Sequence, residues 1–177
     1  MAKSSQKKIH EDEQKVITAL EENANESIGS IAKKCRFSRQ KAWRIIKRLE
    51  KNKTIWGYHA RVTDDKMDRT GYLLLFKLNN LQLNKEIEDL IINEKLKTVA
   101  KENKITVEDN IWLHGTYDCM ISFYAKNILK AKQFQQAFLG ACNGVIGDNQ
   151  LLEHIVIIQK DGFQNPHLKE TKKLLQN

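Results

Sequence analysis

Between residues 33 and 53 the chain sets ten basic residues against a single acid, Glu50, and threads four apolar residues through them at helical spacing. Ala42, Ile45, Ile46 and Leu49 fall at i, i+3, i+4 and i+7, a stripe that must face a core. At roughly 100° per residue the opposite side carries Gln40, Arg44, Lys47, Arg48 and Lys51, with Arg39 and Trp43 at the flanks of the first turns. Ser38 suits the N-cap, because its hydroxyl can accept an orphan N–H at the helix start. The helix is expected over residues 39–51. Upstream, residues 27–34 form a shorter helix with Ile28, Ile31 and Ala32 on one face, and residues 35–37 make the turn. Residues 11–22 carry Val16, Ile17 and Leu20 at helical spacing behind an acidic first turn, as the helix dipole favours. A basic run alone also suits a solvated helix face. A basic helix preceded by a short helix and a tight turn is the helix-turn-helix arrangement, whose second helix enters the major groove of duplex DNA.

The charge is local. Residues 1–62 hold fifteen basic and seven acidic side chains, and the remainder hold fifteen of each, so the net +8 of this 177-residue chain sits in its first third. That is the electrostatic footprint of a polyanion binder. No stretch approaches the roughly 18 apolar residues of a membrane span. The N-terminus lacks the apolar core of a secretory signal, so a cytoplasmic, nucleoid-associated protein with no membrane partner is expected. Cys35, Cys119 and Cys142 are widely spaced and lack the Cys-x-x-Cys pairing of a zinc or redox site. They are read as reduced packing thiols, with no metal or cofactor implied. Nor is there a Ser-His-Asp set or a glycine-rich phosphate loop, and no enzyme is expected.

After the basic helix, residues 54–62 are rich in β-formers around Gly57 and suit a wing or linker strand. The domains are read as a flexible tail (1–9), the helix-turn-helix (10–62), a charged linker (63–70), a second domain (71–161) and a polar C-terminal tail (162–177) with one helical turn near Leu174. The second domain reads as strand 72–78, helix 84–102, strands 105–113 and 119–125, helix 128–141 and strand 151–159. In the turn at 114–118, Gly115 and Asp118 suit a chain reversal. The order β-α-β-β-α-β is the ferredoxin-like split unit, giving an α+β fold with both helices on one face of an antiparallel sheet.

Three segments carry a family resemblance: Arg48-Leu-Glu50, Ile55-Trp-Gly-Tyr58 and Gly115-Thr-Tyr-Asp118. In that order, on those elements, they resemble the Lrp/AsnC (feast/famine) prokaryotic transcriptional regulators over about residues 10–160. The resemblance implies homodimers paired through the second domain's sheets, often assembled into tetramers or octamers. It also implies an amino acid or related effector bound between dimers, which makes Gly115, Tyr117 and Asp118 the candidate effector residues. The stretch between the first strand and that turn is longer than the family's usual, and Trp112 and His114 make the approach bulkier.

Within the DNA-binding half, Arg39, Gln40 and Arg44 are the candidate base readers, since Arg pairs with guanine and Gln with adenine in the major groove. Ser38, Lys33, Lys34, Lys41, Lys47, Arg48 and Lys51 are assigned to the DNA backbone. Trp43 is expected to pack, and Trp56 and Tyr58 to cover the domain joint. Two alternatives share the architecture. One is an enzyme resembling sirohaem decarboxylases, using His59, His114 or His154, and the other is a low-specificity architectural DNA binder.

Overall fold

A computed structural model describes residues 2–79 and 95–171, and the chain divides into two compact units, Met1–Arg61 and Val62–Asn177. In the first unit, α1 (Ala2–Glu22), α2 (Ile28–Cys35) and α3 (Arg39–Lys51) enclose a core of Val16, Ala19, Ile31, Cys35, Ile45, Ile46 and Leu49. Both short helices open on serine caps: Ser27 Oγ accepts the Ser30 N–H at 3.1 Å and Ser38 Oγ accepts the Lys41 N–H at 3.2 Å. Arg36, in the left-handed region at φ 58°, ends α2 and donates its N–H to the Ala32 and Lys33 carbonyls.

Two expectations for this unit are corrected. Residues 2–9, read as a flexible tail, are helical and continuous with α1. They contain no Gly or Pro to break the helix and are rich in Lys, Gln and Ser, which propagate it without leaving an apolar stripe. Glu11, Asp12 and Glu13 therefore sit mid-helix and do not fill a first turn. The expected wing strand is also missing: residues 56–63 have no regular secondary structure, because no described strand lies beside them to complete a ladder.

The second unit contains β1 (Thr70–Leu78), α4 (Lys95–Glu102), β2 (Thr106–Trp112), β3 (Cys119–Ala125), α5 (Ile128–Ala141) and β4 (Ile146–Glu153). The strands form one antiparallel sheet in the order β2-β3-β1-β4, the ferredoxin-like arrangement. Most of the expected helix 84–102 lies outside the described residues, and α4 is its described end. Alternation decides the faces. Tyr72, Leu74, Phe76 and Leu78 of β1 and Cys119, Ile121, Phe123 and Ala125 of β3 point into a core closed by Leu96, Val99 and Ala100 of α4 and Ala131, Phe134 and Phe138 of α5. At its centre, Phe134 meets Phe123 edge-on at 4.8 Å and stacks on Phe138 at 6.0 Å. Leu129 and Ala137 of this helix are exposed.

The fourth strand is displaced from its expected span. It runs Ile146–Glu153, pairing with β1 from Ile146 opposite Leu78 to Glu153 opposite Tyr72. The apolar run at 155–158 suggested a later strand, but Asn143 and Gly144, both at positive φ, turn the chain straight into the sheet. Beyond β4, His154 donates its N–H to the Gly71 carbonyl at 2.9 Å, and its imidazole lies where a Cβ on residue 71 would stand, 2.3 Å from Nδ1. A side chain at residue 71 would have to displace that ring. A short hairpin pairs β5 (Gln159–Lys160) with β6 (Phe163–Gln164), so that β6 and a helical turn, α6 (Leu168–Thr171), occupy part of the expected tail, while the turn expected near Leu174 lies outside the described residues. The hairpin is tied to the sheet where Lys160 Nζ pairs with Glu108 and donates to the Tyr124 hydroxyl at 3.0 Å, while the Arg69 guanidinium covers the Tyr124 ring at 3.8 Å.

All three cysteines are free and buried. Burial pushes the Cys119 thiol up to about 12 and the Cys142 thiol to about 11. Neither is expected to react with a thiol reagent at pH 8 in the native protein, and both should react after denaturation. Because folding raises these values above the ordinary 9, their contribution to stability is complete below pH 9 and is lost as pH climbs toward 11–12. Rapid labelling of the native protein at pH 8 would contradict this.

Candidate nucleic-acid interface

With Ala42, Ile45, Ile46 and Leu49 all buried, α3 turns Gln40, Arg44, Lys47 and Lys51 outward, and Arg39 and Arg48 are exposed beside them. The two flanks of this face differ. On one, α1 supplies carboxylates: Asp12 pairs with Lys41 Nζ at 2.5 Å and Glu13 accepts from Arg48 Nε at 2.9 Å. Lys41 also lies 4.1 Å from the centre of the Phe37 ring. These pairs are partly exposed and add little stability singly, but they fix α3 against α1. On the other flank, Glu50 accepts from Lys47 Nζ at 2.7 Å and from the Tyr58 hydroxyl at 3.2 Å. The Lys47 hydrogen bond is the main reason the Glu50 carboxyl sits below its usual range, with Tyr58 adding to it. Burial, and then the Glu50 charge, raises the Tyr58 phenol, which stays a donor.

Of the residues assigned to the DNA backbone, Lys34, Lys41, Lys47 and Arg48 are thus already paired with carboxylates. Lys34 is held by Glu26 at 2.7 Å and Glu22 at 3.2 Å, which raise its pKa. It lines a shallow groove formed by α1 and the end of α2, with no lining residue from α3. Among the described residues Lys33, Arg39, Arg44 and Lys51 form no ion pair, and Arg44 only returns its Nε to the Gln40 carbonyl at 3.4 Å. Ser38 spends its oxygen on the helix cap and keeps its O–H to donate. At the first turn of α3, the backbone N–H groups ahead of Lys41 have no intrahelical partner, an arrangement that favours an anion.

Trp43, expected to pack, is 48 % exposed, and Trp56 is 94 % exposed. Tyr58 turns back to Glu50. Sequence reasoning missed the pairing of α1 acids with α3, since nothing local links Asp12 to Lys41 or Glu13 to Arg48.

Residues 13–55 match the winged helix-turn-helix DNA-binding family. That match covers the three-helix core and stops at the anchor of the following segment. No curated protein sequence matches the chain. Among solved structures, the chain is similar to the feast or famine regulatory protein of M. tuberculosis, complexed with L-methionine, at 11 % identity. The likeness covers 88 % of this chain and 98 % of that one, with a TM-score of 0.68. A transcriptional regulator from Neisseria meningitidis, in complex with L-methionine, is similar at 16 % identity, covering 89 % and 97 %, with a TM-score of 0.66. An AsnC family transcriptional regulator from Agrobacterium tumefaciens is similar at 16 % identity, covering 89 % and 97 %, with a TM-score of 0.63. The chain therefore has the Lrp-like α+β architecture, and the resemblance drawn from its motifs holds at the level of fold.

The turn carrying the candidate effector residues is exposed at 114–116 and half-buried at Tyr117 and Asp118. Asp118 closes the sheet end: its Oδ2 accepts the Leu78 N–H at 2.8 Å, its N–H donates to the Phe76 carbonyl at 3.0 Å, and its carbonyl accepts the Leu113 N–H at 2.8 Å. Gly115 has no positive φ, and a Cβ there would meet nothing within 4 Å. Neither backbone strain nor crowding within the chain demands that glycine. The three histidines of the enzyme alternative sit on separate elements: His59 after α3, His114 in the β2–β3 turn, and His154 beyond β4. Burial first, and then Lys160, holds His154 below the usual imidazole range. Among the described residues no cluster of His, Cys, Asp or Glu is arranged to hold a metal, and no helix is long and apolar enough to cross a membrane.

Proposed function

We propose that this chain is a sequence-specific transcriptional regulator that inserts α3 into the major groove of duplex DNA. The observation that carries the reading is the outward face of α3, where Arg39, Gln40 and Arg44 stand free of carboxylates above a buried stripe. In this reading those three read base edges, and Lys33, Ser38 and Lys51 hold the phosphates. Lys34, Lys41, Lys47 and Arg48 join them by exchanging a carboxylate for a phosphate. Arg44→Ala is expected to relax preference at one half-site position at a cost of roughly 1–3 kcal/mol, whereas Lys51→Ala weakens all sequences alike. Binding titrations on a selected site and on random duplex check this. Equal loss on both for Arg44→Ala would favour the architectural binder.

The regulator acts as a dimer or larger assembly through its second domain. The sheet face away from α4 and α5 exposes Ile111 and Leu152 at 42 % and 44 %, and an uncovered apolar sheet face finds a partner. Two-fold symmetry then calls for a near-palindromic operator with half-sites about 34–36 Å apart or a multiple of that.

An amino acid is the proposed effector, bound beside Gly115, Tyr117 and Asp118 where dimers meet. The L-methionine complexes of two structural neighbours support this choice. The open space at Gly115 leaves room for a ligand or a neighbouring subunit. Asp118 Oδ2 is committed to Leu78, so a ligand ammonium would share the remaining carboxylate oxygen. Thermal-shift measurements with L-methionine at about 100 times its dissociation constant are expected to show roughly 2.7 kcal/mol of added stability. If none of the twenty amino acids shifts the transition, Asp118 serves the turn alone.

A further inference from the structure

Trp56 is the most exposed large hydrophobic side chain among the described residues, at 94 %, although the chain on either side of it is fixed. Before it, the Ile55 N–H donates to the Leu49 carbonyl at 3.1 Å and the Ile55 side chain packs on the first unit's core. After it, the Tyr58 hydroxyl donates to Glu50 at 3.2 Å. Held between these anchors, the indole belongs to a segment that Tyr58 ties to Glu50, on the flank of α3 that also bears the half-exposed Trp43. An exposed indole offers a large apolar face with a polar N–H, the kind of side chain enriched at interfaces.

The surrounding charge selects its partner. Glu50 is the only carboxylate between residues 27 and 63, and Lys47 and Tyr58 already hold it. Lys51 and Lys53 close the segment leading to Trp56. A second copy of this chain would bring the same positive field against itself. Duplex DNA offers the complement, phosphates beside flat apolar sugar and base surfaces. We propose that Trp56 is a DNA contact, its indole packing on deoxyribose or a base step at the margin of the groove that α3 enters. This rests on the reading of α3 as the groove-binding helix and adds to it an uncharged contact.

The test uses the full chain and a duplex carrying its selected site. The acrylamide-quenchable emission that Trp56→Phe removes reports Trp56, and it is expected to be accessible in the free protein and protected in the saturated complex. Trp56→Ala, which disturbs no packing, is expected to weaken binding by about 5- to 150-fold. The slope of log affinity against log salt should not change, because no cation is lost. Trp56→Phe should retain most of the affinity. The proposal is overturned, with the α3 reading intact, if the duplex binds but Trp56 stays equally accessible or Trp56→Ala costs less than about twofold. Protection that grows with protein concentration in the absence of DNA would assign the indole to a second copy and also overturn it. Failure to bind any duplex would remove both readings together.

Discussion

Raising salt from roughly 50 to roughly 200 mM is expected to weaken duplex binding by about 10³- to 10⁵-fold, if each dimer neutralises about six to ten phosphates. The expectation comes from counting cations that are free to meet phosphate. Lys33, Arg39, Arg44 and Lys51 make no ion pair among the described residues, and Lys34, Lys41, Lys47 and Arg48 are held only by partly exposed carboxylates. Two copies therefore bring eight unpaired cations and eight exchangeable ones. Exchange of a carboxylate for a phosphate gains less than capture by a free cation, so the free set should dominate the slope. Fluorescence anisotropy of a labelled duplex across a salt series gives that slope directly. A flat dependence would remove the phosphate-binding role of α3.

Phe134→Ala is expected to cost 3–5 kcal/mol, about the price of deleting a fully buried aromatic side chain. Phe134 is 0 % exposed and touches both Phe123 and Phe138, so truncation leaves a void that the sheet on one side and α5 on the other cannot both close. Against a typical total of about 5–15 kcal/mol, the loss takes a large part of the stability of this unit. Denaturant unfolding followed by far-ultraviolet circular dichroism would measure it. Leu129→Ala, on the same helix but 68 % exposed, is the matched control and should change the midpoint little. A small effect at Phe134 would mean that the aromatic cluster is not the centre of the core.

What could be read from the sequence followed from periodicity and end signals. Ala42, Ile45, Ile46 and Leu49 placed the buried side of α3, and Ser38 marked its start, because both are local properties of the chain. The β3 and α5 spans were legible for the same reason: a short run of apolar and aromatic residues in one, and a break at Gly144 after the other. The α1 extension was not, because a helix can continue through polar residues without any stripe to announce it. The β4 span was misjudged because hydrophobicity pointed to residues 155–158, whereas the pairing is set by the turn at Asn143 and Gly144 and by the partner strand. At the interface, the candidate base readers could be chosen by angle around α3. Which cations were already neutralised could not, since the decisive acids lie on another helix, as Asp12 and Glu13 do. Trp43 was expected to pack because it flanks the apolar stripe, and only the packing of α3 shows that it stays half-exposed.

The unequal flanks of α3 have a consequence for the duplex itself. A helix lying in the major groove has one phosphate strand on each side. The side bearing Lys41 and Arg48 presents cations already satisfied by α1, while the opposite side presents the exposed indole of Trp43 and Lys47, whose partner Glu50 is shared with Tyr58. If α3 occupies the groove as proposed, the two strands of a half-site are gripped unequally: blocking phosphates on one should disrupt the complex more than blocking those on the other, a strand bias present even where the base sequence is symmetric.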